Sequence, residues 1–530
     1  MELVLRCIQF FMSIGYAILY WILPFMEPKK NPVRIPPISN ELLTFSLVEV
    51  IELMGQRKLK SIDLVRAYIE RIKDVEPYIN AVVHDCFDEA IDDALCADKV
   101  IAGTKDEDIP ALFERFPLLG APFTVKESCG LKGMPFRVGS RQRANMICPK
   151  NGEVVNHLVK AGGIPLLVSV TSEYCYGMET QPATQYCCLN PHNDRRTPGG
   201  SSGGEGALNG AGATLFGVGS DIAGSIRLPS LFNGVFGHKP TGGVTSIVGH
   251  FPNCREPDGR EFLQMGPITR FGCDLSLLMH VMAGKNAVKL NLKSRIATKD
   301  IMVYYSFGFE QLNGFLHKTP VCAMEMAIKT AVKCLANRGC YTERASMSLF
   351  KNSLEISISG IVLLQSFPYI INSNSSNKIF EHLVEFHKAL LGRSEYTKEG
   401  IYFDLLRRVN ILIKAERTNK YRAEAEVLKA NLAKMLGDNG VLLLPTFPVP
   451  ALHHNTSLLA LWNIDYTLIF NIIGFPATHI PMGKDKDGLP VGFQVVAAPY
   501  NDRLCFQIAR ELESTLGGWV VPTPHDLNVD

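Results

Sequence analysis

The chain has 530 residues, 46% of them hydrophobic and 20% charged, enough apolar material for a large core. With 54 basic against 52 acidic side chains and no dominant basic stripe, the composition excludes a protein built to bind nucleic acid. The 14 cysteines lie at no regular spacing from Cys7 to Cys505, which excludes a disulfide scaffold and fits free thiols in a reducing compartment.

The first element is an uncharged run over residues 7–26, "CIQFFMSIGYAILYWILPFM". At about 1.5 Å per residue, a helix of that length crosses a hydrocarbon core of roughly 30 Å. Tyr20 and Trp21 lie near its far end, where aromatic rings favour the interface, and Lys29, Lys30 and Arg34 follow. The run is long for a signal peptide and no Ala-x-Ala site follows it, so residues 1–27 are expected to be a retained single-pass anchor. The basic flank favours a cytosolic body on an endomembrane, the endoplasmic reticulum or a lipid droplet; Arg6 on the other side opposes it. Two glycosylation triplets, at Asn374 and Asn455, pull weakly toward the lumen. Residues 28–39 carry Pro28, Pro32, Pro36 and Pro37 and read as an extended spacer.

From residue 40 onward the chain reads as one body. "SIDLVRAYIERIKDV" predicts a helix capped by Ser61, with Leu64, Val65, Tyr68, Ile69 and Ile72 on one apolar face. "PLLGAPFTVKESCG" predicts a buried strand that turns after Lys126. "VVNHLVKAGGIPLLVSVTS" predicts a helix stopped at Gly162–Gly163 and a strand over 164–170. A glycine-rich block fills 199–243, and residues 300–440 are mostly helical, with a charged helix in "KAERTNKYRAEAEVLKANLAKML". Strand-like runs return in "GVLLLPTFPVPA", "GFPATHIPMG" and "GLPVGFQVVAAP". Strands at both ends with helices between them imply an α/β fold.

Chemistry concentrates in "GGSSGGEG" (Gly199 to Gly206) and "GSDIAGSIRLPS" (Gly219 to Ser230). A phosphate loop would need Lys-Ser/Thr where Glu205-Gly206 stands. A nucleophile elbow fits Gly-x-Ser-x-Gly with Ser202, given a later histidine among His453, His454, His479 and His525. A glycine turn without chemistry is the third reading. The fourth joins both serine sites to Lys126. A serine hydroxyl needs a base, and a lysine is a base only when neutral, a state that an apolar strand such as "APFTV" favours. Glu127, by strand alternation, points to the opposite face.

These motifs, with "GAPFTVKE" upstream and "LLLPTFPVPA", "NIIGFPATHIPMG" and "GLPVGFQVV" downstream, resemble the amidase signature family from about residue 40 to the C-terminus. The resemblance implies that family's fold, a large twisted mixed sheet covered by helices on both faces. It implies Ser225 as nucleophile, Ser201 as proton relay after a cis Gly200–Ser201 bond, and Lys126 as general base. It implies an oxyanion hole of the backbone N–H groups of Ile222, Ala223, Gly224 and Ser225. Asp221 and Arg227 brace the loop, and Ser202 supports the relay. Position 223 is alanine where glycine is commoner, which would strain the hole if that residue had positive φ.

Joined to the apolar N-terminus, the resemblance implies hydrolysis of a fatty-acid amide to free acid and amine through an acyl-enzyme, without cofactor. "SISGIVLLQSFPYIINS" (357–373) is either a buried core helix or part of an acyl channel or membrane-facing cap. His453-His454 and Cys187-Cys188 lack partners at metal-ligand spacing. The glutamine-hydrolysing component of a tRNA-dependent amidotransferase shares the motifs and is the rival enzyme; a membrane-tethered binding protein without turnover is the rival of another class. A lipid amide, the membrane and a second copy of the chain are the expected partners.

Overall fold

The run Gly440–Leu444 is buried at every position because different layers cover its two faces. Val441 and Leu443 pack with the helices Cys322–Asn337 and Asp502–Leu516. Leu442 and Leu444 pack with Ala415–Leu436 and Asp465–Ile472. Such alternation needs a sheet with helices on both faces. In the computed structural model, which describes residues 33–309, 320–362, 364, 366–371, 378–409 and 415–523 together with 11, 12, 14, 15, 18, 19 and 22, that sheet has eleven strands.

The strands are β1 (Val82–Asp85), β2 (Pro122–Lys126), β3 (Ile164–Ser169), β4 (Phe216–Asp221), β5 (Phe236–Lys239), β6 (Gln264–Thr269), β7 (Met302–Tyr305), β8 (Tyr341–Arg344), β9 (Gly440–Leu444), β10 (Ala477–Lys484) and β11 (Pro490–Ala497). They lie in the order β1-β3-β2-β4-β6-β5-β10-β11-β9-β7-β8. β2 runs parallel to both β3 and β4, while β4–β6, β6–β5, β5–β10 and β10–β11 are antiparallel. The expected mixed sheet is therefore present. Because β2 and β4 are parallel, their C-terminal residues Lys126 and Ser220–Asp221 emerge side by side at one end of the sheet. Open α/β sheets gather ligands at such carboxyl ends.

The strand after 164 and the turn after Lys126 stand where the sequence places them, the latter as one 3-10 turn, Glu127–Cys129. The helix at 61 runs Ser61–Ile79, but Ser61 is not its cap. Its hydroxyl donates to Gly120 O (2.7 Å), and the first-turn N–H groups of Ser61 and Ile62 are taken instead by Asp98 Oδ1 (2.7 Å) and Oδ2 (3.1 Å). A carboxylate from the next helix thus replaces the local hydroxyl.

The expected transmembrane helix is not supported: no helix among the described residues is long and apolar enough to cross a membrane. Most of the run 7–26, like the triplet at Asn374, lies outside the described residues. Within the described part, Met12 Sδ accepts hydrogen bonds from Tyr402 Oη (3.8 Å) and Trp462 Nε1 (2.6 Å), so this stretch rests on the body rather than standing free of it. Of the spacer, residue Ile35 is buried and Arg71 Nη1 holds the carbonyls of Pro36 (2.9 Å) and Pro37 (3.1 Å). Every described cysteine is free.

Asp98→Ala should lower the stability of the folded chain by about 1 kcal/mol, the usual value of a lost N-terminal acceptor, read as a lower midpoint in urea unfolding; Ser61→Ala, which removes no cap, should not share that loss through the helix terminus.

Candidate active site

Lys126 ends β2 with its side chain wholly inside the protein. Nζ lies 2.7 Å from Ser201 Oγ and 3.0 Å from Ser220 Oγ, so both of its hydrogen-bond partners are hydroxyls. Glu127, expected to point away by strand alternation, instead opens the 3-10 turn that follows β2, and its carboxylate accepts the N–H groups of Arg137 (2.9 Å) and Gly139 (3.1 Å). Below the lysine, Glu205 takes the hydroxyls of Thr124 and Ser169, each at 2.6 Å. Burial pushes its carboxyl up to about 7, against those two hydrogen bonds.

The glycine block brings Ser201 to the amine. Gly203–Gly210 is a short helix laid against β4 and β2, and a Cβ on Gly204 would stand 2.7 Å from Val170 O, just past the end of β3, so only glycine permits the approach. The Gly200–Ser201 bond is cis, where the resemblance put it. Ser202 does not face the cavity. Its N–H donates to Ser225 O (3.3 Å) and its Oγ lies 3.3 Å from Ser220 O, so it ties the serine loop to the end of β4. That overturns the nucleophile elbow, since Ser202 is buried and none of His453, His454 and His479 lines the cavity; His525 lies outside the described residues.

Ser225 lies just ahead of the helix Arg227–Asn233, on the wall of the same cavity as Ser201. The oxyanion donors need one correction. Asp221 Oδ1 accepts the Gly224 N–H at 2.7 Å, so that amide is already engaged; the N–H groups of Ile222, Ala223 and Ser225 have no hydrogen-bond partner among the described residues. Asp221 Oδ2 also takes the Ile226 N–H (3.1 Å), and Arg227 grips both oxygens through Nε and Nη2, each at 3.0 Å. Burial works against the Asp221 charge, but the Arg227 guanidinium and the Gly224 amide outweigh it and hold the carboxyl well below the usual range. Arg227 Nη1 and Nη2 reach on to Gln494 (2.9 Å) and Asn471 (2.6 Å), which ties the loop to β11 and to the helix Asp465–Ile472. The strain feared at Ala223 is absent: positive φ falls on Gly224 (φ 113°) instead.

The cavity holds about 1200 Å³ including its open mouth. Aliphatic and aromatic side chains such as Ile222, Leu228, Leu354, Ile358, Phe403 and Leu468 dominate its lining. Ile358, Ile361 and Phe367 bring the apolar stretch 357–373 to this wall, while Ser357 and Ile370 of the same stretch are buried. Sequence reasoning missed Ser220, His250 and Cys175, which also line the cavity. Burial resists ionisation of the Cys175 thiol, but Lys126 and His250 beside it bring it down to about 6. It also missed that Cys187 Sγ and His454 Nδ1 meet at 3.5 Å, with Glu179 Oε1 3.3 Å from the same nitrogen. No group of three or more side chains able to hold a metal ion occurs among the described residues.

Comparison with known proteins decides the family. The profile described as Amidase matches residues 63–506. The chain belongs to the amidase family. It is similar to fatty-acid amide hydrolase 2-B of Danio rerio, 37% identical over 502 residues and covering 93% of each chain. It is also similar, at 28% identity over 89% of this chain and 96% of the relative, to a glutamyl-tRNA(Gln) amidotransferase component of Thermoanaerobacter pseudethanolicus. Among solved structures, a crystal structure of an amidase superposes with a TM-score of 0.69 at 25% identity, over 89% of this chain and all of the other. The chain is an amide hydrolase with the amidase-signature α/β fold.

For this amidase the loop geometry predicts a contrast between neighbours. Gly224→Ala puts a Cβ 2.5 Å from Thr467 Oγ1 at a backbone angle alanine resists, and should cut kcat/KM for any amide by about 30-fold or more. Ala223→Gly should stay within about threefold of the parent, because residue 223 needs no positive φ. Equal losses in steady-state kinetics would sink this account of the loop.

Proposed function

We propose that the chain hydrolyses fatty-acid amides to free acid and amine through an acyl-enzyme on Ser225. The observation that carries the reading is the hydroxyl–amine contact of Ser201 and Lys126, 2.7 Å long, opening onto a large apolar cavity that Ser225 also lines. Lys126 takes the Ser201 proton as Ser201 takes that of Ser225; Ser225 Oγ bonds to the carbonyl carbon, and the carbonyl electron pair moves onto oxygen. The N–H groups of Ile222, Ala223 and Ser225 meet that oxyanion, each such donor contributing about 3 kcal/mol. Collapse breaks the C–N bond while the proton returns from Lys126 through Ser201 to the leaving amine. Water then gives a proton to the same relay, its oxygen joins the acyl carbon, and Ser225 leaves reprotonated. A relay suits this site because one hydroxyl both donates and accepts.

The lining supports a long acyl chain over glutamine, whose polar side chain would find few partners on a mainly aliphatic wall. Ser225→Ala and Lys126→Met should each lower kcat/KM for a long-chain amide by about 1000-fold or more without changing the thermal unfolding midpoint, and a fluorophosphonate should label Ser225 alone. Near-parental turnover in either variant removes the reading.

Membrane association forms part of the proposal, by a face rather than a span. Ile379, Phe380, Leu383, Val384 and Leu390 make one exposed stripe on the helix Lys378–Leu390. That helix packs on Lys398–Val409, whose Phe403 and Leu406 line the cavity. Phe11, Ile14, Ile18 and Ile22 are exposed on the N-terminal run, whose Met12 touches Tyr402 of the same cavity-lining helix. An amphipathic face of this kind binds the headgroup boundary through its apolar area. The double variant Phe380→Glu, Leu383→Glu should lower co-sedimentation with phosphatidylcholine vesicles by about fivefold or more, with turnover of a short soluble amide retained. Unchanged vesicle binding would assign the stripe another role.

A further inference from the structure

His250 lies in the loop between β5 and β6, nearly buried, on the cavity wall. Its Nδ1 stands 2.9 Å from the carbonyl oxygen of Pro252, and its Nε2 stands 2.9 Å from Ser220 Oγ. A carbonyl only accepts, so Nδ1 carries a proton, and in the neutral ring Nε2 is left with a lone pair alone. Ser220 has one proton to give, and it goes to Nε2. Toward Lys126 Nζ, 3.0 Å away, the Ser220 oxygen is then an acceptor only.

This sets the direction of the hydrogen bonds around the amine. A neutral amine has two N–H groups and one lone pair. With Ser220 unable to donate, an N–H of Lys126 points to Ser220, and the lone pair is left for the Ser201 hydroxyl, 2.7 Å away. Remove the acceptor at Nε2 and the Ser220 O–H is free to rotate onto Nζ. It would then occupy the lone pair that has to receive the Ser201 proton.

We infer that His250 is a positioning residue which, by claiming the proton of Ser220, reserves the Lys126 lone pair for Ser201. The inference rests on the reading of Lys126 as the base. It concerns a residue outside the serine motifs, acting through a hydroxyl and never on substrate. Cys175 is the other group that faces both the ring and the amine, with Thr171 Oγ1 (3.5 Å) as a further partner of its thiol. It must therefore be separated from Ser220 in any test.

Two amides divide the imidazole between them. In His250→Asn the short side chain keeps a donor for Pro252 O but falls short of Ser220; in His250→Gln the longer one brings a carbonyl oxygen to the place of Nε2. Steady-state kinetics on a long-chain amide should show kcat lowered about tenfold or more in His250→Asn with KM little changed, and most of it restored in His250→Gln. Ser220→Ala alone removes an acceptor and should cost only a few-fold. Added to His250→Asn it also removes the competing hydroxyl, so the double variant should be several-fold faster than His250→Asn, a suppression that a merely structural role would not give. Cys175→Ala in the His250→Asn background should bring no such recovery.

If the Ser220 and His250 losses simply add, or if Cys175→Ala is the suppressor, the inference is overturned. Thermal unfolding of each variant identifies any loss due to misfolding, and should His250→Asn fail to fold, His250→Leu with and without Ser220→Ala makes the same comparison. Lys126→Met in the same assay separates the two readings. Turnover surviving there removes the base itself, whereas a dead Lys126→Met with additive His250 and Ser220 losses removes only the role of His250.

Discussion

An amine sealed inside the protein with hydroxyls as its hydrogen-bond partners is the constraint around which the site is organised. A buried ammonium is expensive without a paired charge, while a neutral amine needs only modest dipoles. Around Lys126 stand the hydroxyls of Ser201 on one side and Ser220 on the other, while Glu127 is turned to the backbone of Arg137 and Gly139. The sheet creates this arrangement, because β2 and β4 run parallel and deliver the lysine and Ser220 to one edge. The glycines of the 199–206 block then let a short helix approach closely enough for Ser201 to complete it.

A second buried group, of opposite character, shapes the other side of the candidate site. The Asp221–Arg227 pair is fully enclosed, and every nitrogen and oxygen of the two charged groups has a hydrogen-bond partner, which is the condition under which a buried ion pair is tolerated. Its value lies in direction. By taking the amides of Gly224 and Ile226, the carboxylate curls the loop so that the remaining N–H groups, those of Ile222, Ala223 and Ser225, have no acceptor among the described residues to satisfy them. Donors left unmet at the end of a strand and the start of a helix are what a developing oxyanion requires.

The fold was legible because its signals are local. Runs such as "GVLLL" and "PFTVK" are buried on both faces and read as interior strands, and the glycine–serine motifs sit where a close approach admits little else. What escaped the sequence depends on partners far along the chain. Ser220 matters through an amine 94 positions away, and Cys187 meets His454 across 267. Ser61 looks like a cap, but the helix starts one residue earlier, and Asp98, from the following helix, takes the amides of Ser61 and Ile62. The engagement of the Gly224 amide hinges on a side chain only three residues back, yet which of several neighbouring amides a carboxylate selects is a matter of backbone angles that composition does not encode.

Met12 touches Trp462, and Trp462 is part of the cavity wall. The described part of the N-terminal run therefore touches a residue of the cavity wall across 450 positions of sequence, so a substitution at Met12 alters the packing behind that wall.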